Sequence, residues 1–207
     1  MNNYYYLIAG LPALSKDWKF SEGISVESII SEIKERCTKK DNSLIDILLD
    51  GFDDKKLNHD FYRKAVNSGN IFIREYFRSD LHVRNAKVRY LNKALGRDSE
   101  QDTIKRTEDE PEIKGLEEFN EAPQVEAALN TDDILGREKA LDDLMWEKID
   151  SLTTFDYFDL NAILGFIAKL HIINRWLKLD EATGREMFKK LVDEVRGTFK
   201  GVQYDGQ

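Results

Sequence analysis

The chain has 207 residues, of which 41% are hydrophobic and 34% charged, with a formal net charge of −8. That hydrophobic share is enough to build a core and excludes global disorder, and the acidic balance argues against nucleic acid or an anionic membrane surface as partner. A single cysteine, Cys37, excludes an intrachain disulfide and fits a reducing compartment. Three prolines and an abundance of Leu, Ile, Glu and Lys favour helices with solvated outer faces.

In chain order, residues 4–14 are aromatic and apolar and end in Gly10-Leu11-Pro12. Tyr4–Ala9 is too short for periodicity to choose between a strand and the first turns of a buried helix. The tyrosine triplet is expected to pack into the core rather than to form a docking surface. No basic segment precedes this run, and it falls short of the ~20 apolar residues a bilayer crossing takes, so a soluble, cytoplasmic protein is expected. Ser25 reads as an N-cap for a helix whose face is Val26, Ile29, Ile30 and Ile33, ending near Lys39-Lys40. Cys37, near that end, reads as an inert thiol. Asn42 or Ser43 is expected to cap a short helix stopped by Gly51, and a further helix is expected over Asn58–Val66.

A long helix is predicted over Asn70–Leu95, with stripe residues Ile73, Phe77, Leu81, Val88, Leu91 and Leu95, and Gly96 as its stop. It is locally basic, through Arg74, Arg78, Arg84, Lys87, Arg89 and Lys93. Residues 98–123 are acidic and poor in apolar side chains, which reads as an exposed linker with at most one short helix near Leu116–Phe119. Thr131 starts a helix through Ile134, Leu141, Leu144, Met145 and Ile149. Asp159 caps a second long helix, Leu160–Leu179, and a last helix is expected from Asp180 or Glu181 to Val195, before a short tail.

Residues 81–85 read Leu-His-Val-Arg-Asn and residues 170–174 read Leu-His-Ile-Ile-Asn. Each copy lies in a long helix, so the chain is expected to hold two related helical units. Asn85 and Asn174 fall on the apolar stripes. A buried Asn must be hydrogen-bonded or it costs about 1–3 kcal/mol, so both are expected to specify helix packing. His59, His82 and His171 show no metal-ligand spacing, and no phosphate-binding loop, dinucleotide fingerprint or nucleophile elbow is present. The paired acids Asp53-Asp54, Asp132-Asp133 and Asp142-Asp143 read as helix-end or solvated residues. No catalytic residue, metal or cofactor is therefore expected.

The stretch from Ile73 to Gly96 resembles a recurrent helix of the C subunit (d in eukaryotes) of V-type and A-type ATPases, with Asp80, Leu81, Asn85 and Gly96 matching its pattern. Asp159–Leu179 resembles a later copy, matching at Leu170, Ile172 and Asn174. The opening Tyr4-Tyr5-Tyr6-Leu-Ile-Ala-Gly-Leu-Pro12 resembles an uncharacterised bacterial family whose genes accompany V-type ATPase genes in Bacteroidetes and related bacteria. That second likeness covers most of the chain. The C subunit has three repeated units where this chain has room for two, and the acidic stretch 98–123 is an addition to it.

The resemblance implies a non-catalytic helical socket that couples rotor shaft to membrane ring, held at the inner membrane through the complex. The partners it implies are the shaft and ring subunits. The basic face of the 70–96 helix, at Arg74, Arg78, Arg84 and Arg89, is our candidate for partner binding. The expected architecture is all-α, with a short N-terminal strand as one alternative, in units 1–97 and 124–207 joined by 98–123 and packed as one body. Rival readings are a transient assembly or regulatory factor of the same ATPase, and a small helical enzyme whose site is built from scattered residues.

Overall fold

The computed structural model describes residues 4–16, 25–104 and 119–178. Among them are eight α-helices and one 3-10 turn, Asp54–Lys56, and no strand. The helices are α1 (Tyr5–Gly10), α2 (Val26–Arg36), α3 (Lys39–Asp50), α4 (His59–Val66), α5 (Ile71–Ala94), α6 (Ala122–Leu129), α7 (Ile134–Thr153) and α8 (Leu160–Lys178). The ambiguous N-terminal run is thus helical, and the strand alternative is set aside. The expected helix after Asp180 and the tail lie outside the described residues.

Side-chain caps fix most of the helix starts. Ser25, Asn58, Asn70 and Asp133 each accept from a backbone N–H in the first turn that follows, and Asp159 does the same for Asn161 and Ala162. The caps shift at α3, where Thr38 stands in for Asn42 or Ser43, and at α7, where Asp133 stands in for Thr131, and two further changes accompany them. The helix from Ser25 ends at Arg36, because Thr38 caps α3: its hydroxyl oxygen accepts from Asp41 N at 3.2 Å and its O–H donates to Asp41 Oδ2 at 2.9 Å. Lys39 and Lys40 therefore open α3 rather than close α2. Cys37 sits half-buried in the break, and burial pushes its thiol up, away from the reactive thiolate. The second change is α6, which forms at the end of what reads as linker.

α5 lies at the centre, packed against α3, α4, α6, α7 and α8, while α2 and α3 also reach α8. The expected halves consequently share one main core. Tyr62, Phe72, Ile73, Phe77 and Leu81 from α4 and α5 are fully buried together with Ile149, Ile163, Leu164, Ile167 and Leu170 from α7 and α8. Each such side chain contributes roughly 1.5–3 kcal/mol on leaving water. A smaller cluster, Val83, Val125, Ala128, Leu129 and Leu141, joins α5, α6 and α7. The α5 stripe fails towards its C-terminal end, where Leu91 and Leu95 are exposed.

Two glycines set how closely these helices approach. A Cβ on Gly51 would stand 2.2 Å from the ring of Phe77, and one on Gly165 would stand 2.6 Å from Thr153 Cγ2 and 3.3 Å from Ile149 Cγ2. Gly51→Ala and Gly165→Ala are each expected to lower stability by about 1–3 kcal/mol through overpacking. Gly51 should be the worse because its clash is with a fully buried ring, and urea unfolding of both variants checks the order.

Candidate functional site

The residues the sequence singles out are mostly on α5, and the structure gives those on α5 internal partners. Asn85 is 7% exposed. Its Nδ2 donates to the Ile104 carbonyl at 2.7 Å and its Oδ1 accepts from Ile104 N at 3.0 Å. Two turns further on, Asn92 Nδ2 donates to the Gln101 carbonyl at 2.6 Å. The chain reverses at Gly96, whose φ of +66° is a left-handed conformation that side chains disfavour. The two asparagines thus fasten the returning segment 97–104 along α5. The partner of Asn85 is irregular backbone and not a second helix. Asn174 is half-buried and lines a groove with Val26, Ile30, Phe52 and His171.

The four arginines do not form a bare cationic stripe. Arg74 Nε lies 3.1 Å and Arg78 Nη1 2.8 Å from the Glu75 carboxylate. Arg84 bridges Asp80 at 3.2 Å and Asp54 at 2.8 Å, and Arg89 Nε donates to Glu100 at 2.7 Å. Lys87 reaches across to Glu138 on α7 at 2.8 Å.

Arg84 borders a polar cleft of about 310 Å³ between the 51–54 turn, α5, α7 and α8. Asp80 and Asp142 contribute carboxylates to it. Asp80 Oδ2 accepts from Tyr62 Oη at 2.6 Å and from Arg84; Asp142 Oδ2 accepts from Arg175 and, at 2.5 Å, from Trp176 Nε1. Burial pushes both carboxyls up, against the pull of the arginines. Tyr76 also lines the cleft, and burial and the two carboxylates push its phenol up. On the α8 wall, His171 stacks on Phe52 with ring centroids 3.8 Å apart and planes 8° apart. Burial, then Arg175, pushes its imidazole down to about 4. The matching His82 of α5 stacks on Phe119, at 4.4 Å and 8°. The repeated phrase therefore sends a Leu into the core and a His onto a Phe in both copies. Among the described residues, no group of three or more His, Cys, Asp or Glu is placed to hold a metal ion.

A second feature departs from the core packing expected of the tyrosine triplet. Tyr4 is buried, but Tyr5 is half-exposed and Tyr6 is 88% exposed, so only one member of the triplet packs into the core. Tyr4 N donates to the Phe158 carbonyl at 2.7 Å, which ties the start of α1 to the turn between α7 and α8. Tyr5 contacts Phe158 and Tyr6, with centroids 4.9 and 5.4 Å apart. Phe155, 87% exposed, and Tyr157 stand on the same turn. The signal was present in the run Phe155-Asp156-Tyr157-Phe158-Asp159, where Asp159 alone was read, as a helix cap.

A family model described as protein of unknown function (DUF2764) matches residues 1–59 and 52–198. No curated protein and no solved structure matches the chain.

Replacing Asn85 by Ala removes both bonds to Ile104 and is expected to cost about 2 kcal/mol. Faster amide exchange at Ile104 should accompany the loss, and Asn174→Ala should cost less than half as much. The His171 imidazole stays neutral in the fold at pH values where the unfolded chain takes up a proton, so its folded pKa lies below the unfolded 6.5. The stability it contributes is complete above about pH 6.5 and is lost as pH falls from there towards 4. The raised carboxyls of Asp80 and Asp142 act in the opposite sense. His171→Phe is therefore expected to reduce the acid-side loss by on the order of 2 kcal/mol, read from urea unfolding at several pH values across that window.

Proposed function

The chain belongs to the family of proteins of unknown function DUF2764, and from there we propose that it is a non-catalytic, C/d-like central-stalk component of a bacterial V/A-type ATPase. The family match names no activity, and the reading is carried by one observation about α5. The four residues of the Ile73–Gly96 stretch that bear the likeness to the C subunit have architectural work. Asp80 anchors Tyr62 and Arg84, Leu81 is fully buried, Asn85 holds Ile104, and Gly96 reverses the chain. A motif spent on fixing a helix, its turn and its return segment suits a body that transmits force through shape. In this role the chain joins rotor shaft to membrane ring and is held at the cytoplasmic face of the membrane through the complex. Among the described residues no helix is long and apolar enough to cross a membrane, which accords with attachment through other subunits.

The polar cleft favours a second reading, in which its carboxylates and Tyr76 receive a small ligand and the chain is a helical enzyme. Screening metabolites by thermal shift separates the two, since a ligand at 100 times its dissociation constant adds about 2.7 kcal/mol.

The stalk reading is tested by native affinity purification of the tagged chain from its own organism, with quantitative mass spectrometry. Stoichiometric recovery of shaft and ring subunits is expected. Sub-stoichiometric recovery identifies an assembly or regulatory factor instead, and an intact ATPase that lacks the chain overturns both forms of the proposal.

A further inference from the structure

We infer that the aromatic cluster formed by α1 and the α7–α8 turn is a docking surface for an arginine-bearing segment of a protein partner. This deepens the stalk reading, on which it rests only for the partner's identity.

The patch is unusual first in its exposure. Tyr6 and Phe155 are nearly fully open to solvent, Tyr157 is 65% exposed, and Tyr5 and Phe158 are about half so. Scattered exposed apolar residues need no explanation, but rings in succession do: Tyr6 meets Tyr5, Tyr5 meets Phe158 and Phe158 meets Tyr157, with Phe155 on the same turn, and large aromatic side chains are the usual anchors of protein interfaces. These rings are also presented in a fixed arrangement. The Tyr4–Phe158 backbone bond joins the two segments, and Tyr4 Oη donates to Asp41 Oδ2 at 2.5 Å, which moors α1 to α3. A preorganised surface loses little side-chain freedom on binding.

Charge identifies the occupant. No Lys or Arg lies between Lys148 and Lys169, and no charged residue of either sign lies between Tyr4 and Ser15. The turn itself carries Asp156 and Asp159. Asp156 accepts from Asn161 Nδ2 at 3.1 Å, and Asp159 Oδ1 accepts from Asn161 N at 2.9 Å. Among the described residues neither carboxylate has a cationic partner, in contrast to Asp150 on α7, which pairs with Lys169. Burial and the neighbouring Asp156 charge both raise the Asp159 carboxyl, so a cation brought here relieves a repulsion already present. Guanidinium groups stack on aromatic faces and pair with carboxylates, and this turn offers both within five residues. An anionic lipid surface would meet the wrong sign of charge.

The test replaces Tyr6 or Phe155 with the photocrosslinker p-benzoylphenylalanine in the full chain, produced in its own organism, and sequences the crosslinked peptides. Leu91, exposed on α5 and outside the patch, carries the same probe as control. Both patch positions are expected to join one partner segment that contains arginine, and the Leu91 probe is not. Crosslinks only to a second copy of the chain, only to lipid, to a segment without arginine, or to nothing overturn the inference. In a second arm, Asp156→Asn keeps an acceptor for Asn161 and removes the charge. It is expected to weaken retention of the crosslinked partner by roughly tenfold at an unchanged melting temperature, and unchanged retention overturns the charge assignment. An arginine-bearing segment from a protein other than an ATPase subunit upholds the docking surface and sinks the stalk reading. If Tyr6→Ser with Phe155→Ser still co-purifies stoichiometrically with the ATPase, the stalk reading stands and the docking surface falls.

Discussion

A helix enclosed by its neighbours must find a partner within its own chain for nearly every polar group it carries, and that constraint on α5 organises the molecule. The helix has 24 residues and touches five others. Its apolar side chains build the main core, so its charged and amide side chains are forced to the seams between helices. There an unpaired group would cost about 1–3 kcal/mol, and more if charged. The outcome is a set of cross-ties: Asp80 to Tyr62, Arg84 to Asp54, Lys87 to Glu138, Asn85 to Ile104. Exposed ion pairs such as Arg84–Asp54 add little stability, but the other three ties are partly buried and all four span separate elements, so they fix which neighbour lies where.

The same constraint decides what is left over for binding. The arginines of α5 look like a basic face when counted along one helix. In the fold, acidic side chains from α5 itself and from the segments around it take up most of that charge. The surface that keeps unanswered chemistry is elsewhere, on a turn whose rings stay largely exposed and whose two carboxylates have no cationic partner among the described residues. A charge census of the sequence points to the first place, and only the packing shows the second.

Much of the fold was legible because it is written locally. Ser25 and Asp159 cap helices as their positions foretell, Asn58 and Asn70, expected as first residues, prove to be caps, and Gly96 stops α5. Local signals also misled. Lys39-Lys40 suits a helix end, yet the Thr38–Asp41 pair is a start signal that overrides it. α6 was hidden because the acidic composition upstream extends to Pro123, and its buried face is only Val125, Ala128 and Leu129. The polar cleft could not be read at all. Asp80 stands out in sequence only for a family likeness, and Asp142, which reads as a helix-end or solvated acid, is buried; with Asp54 and Arg175 they meet only because α5, α7 and α8 converge.

The shared core has a mechanical meaning. α2 and α3, from the first half of the chain, pack on α8 at its far end, and α5 packs on α7. Among the described residues both apolar clusters draw side chains from each half, so the halves are interlocked. A chain severed between residues 104 and 119 would leave two pieces, each with an open apolar face that fits only the other. Such pieces should be inert apart and should reassemble when mixed. Intact, the two halves share the apolar surface that either would leave open alone.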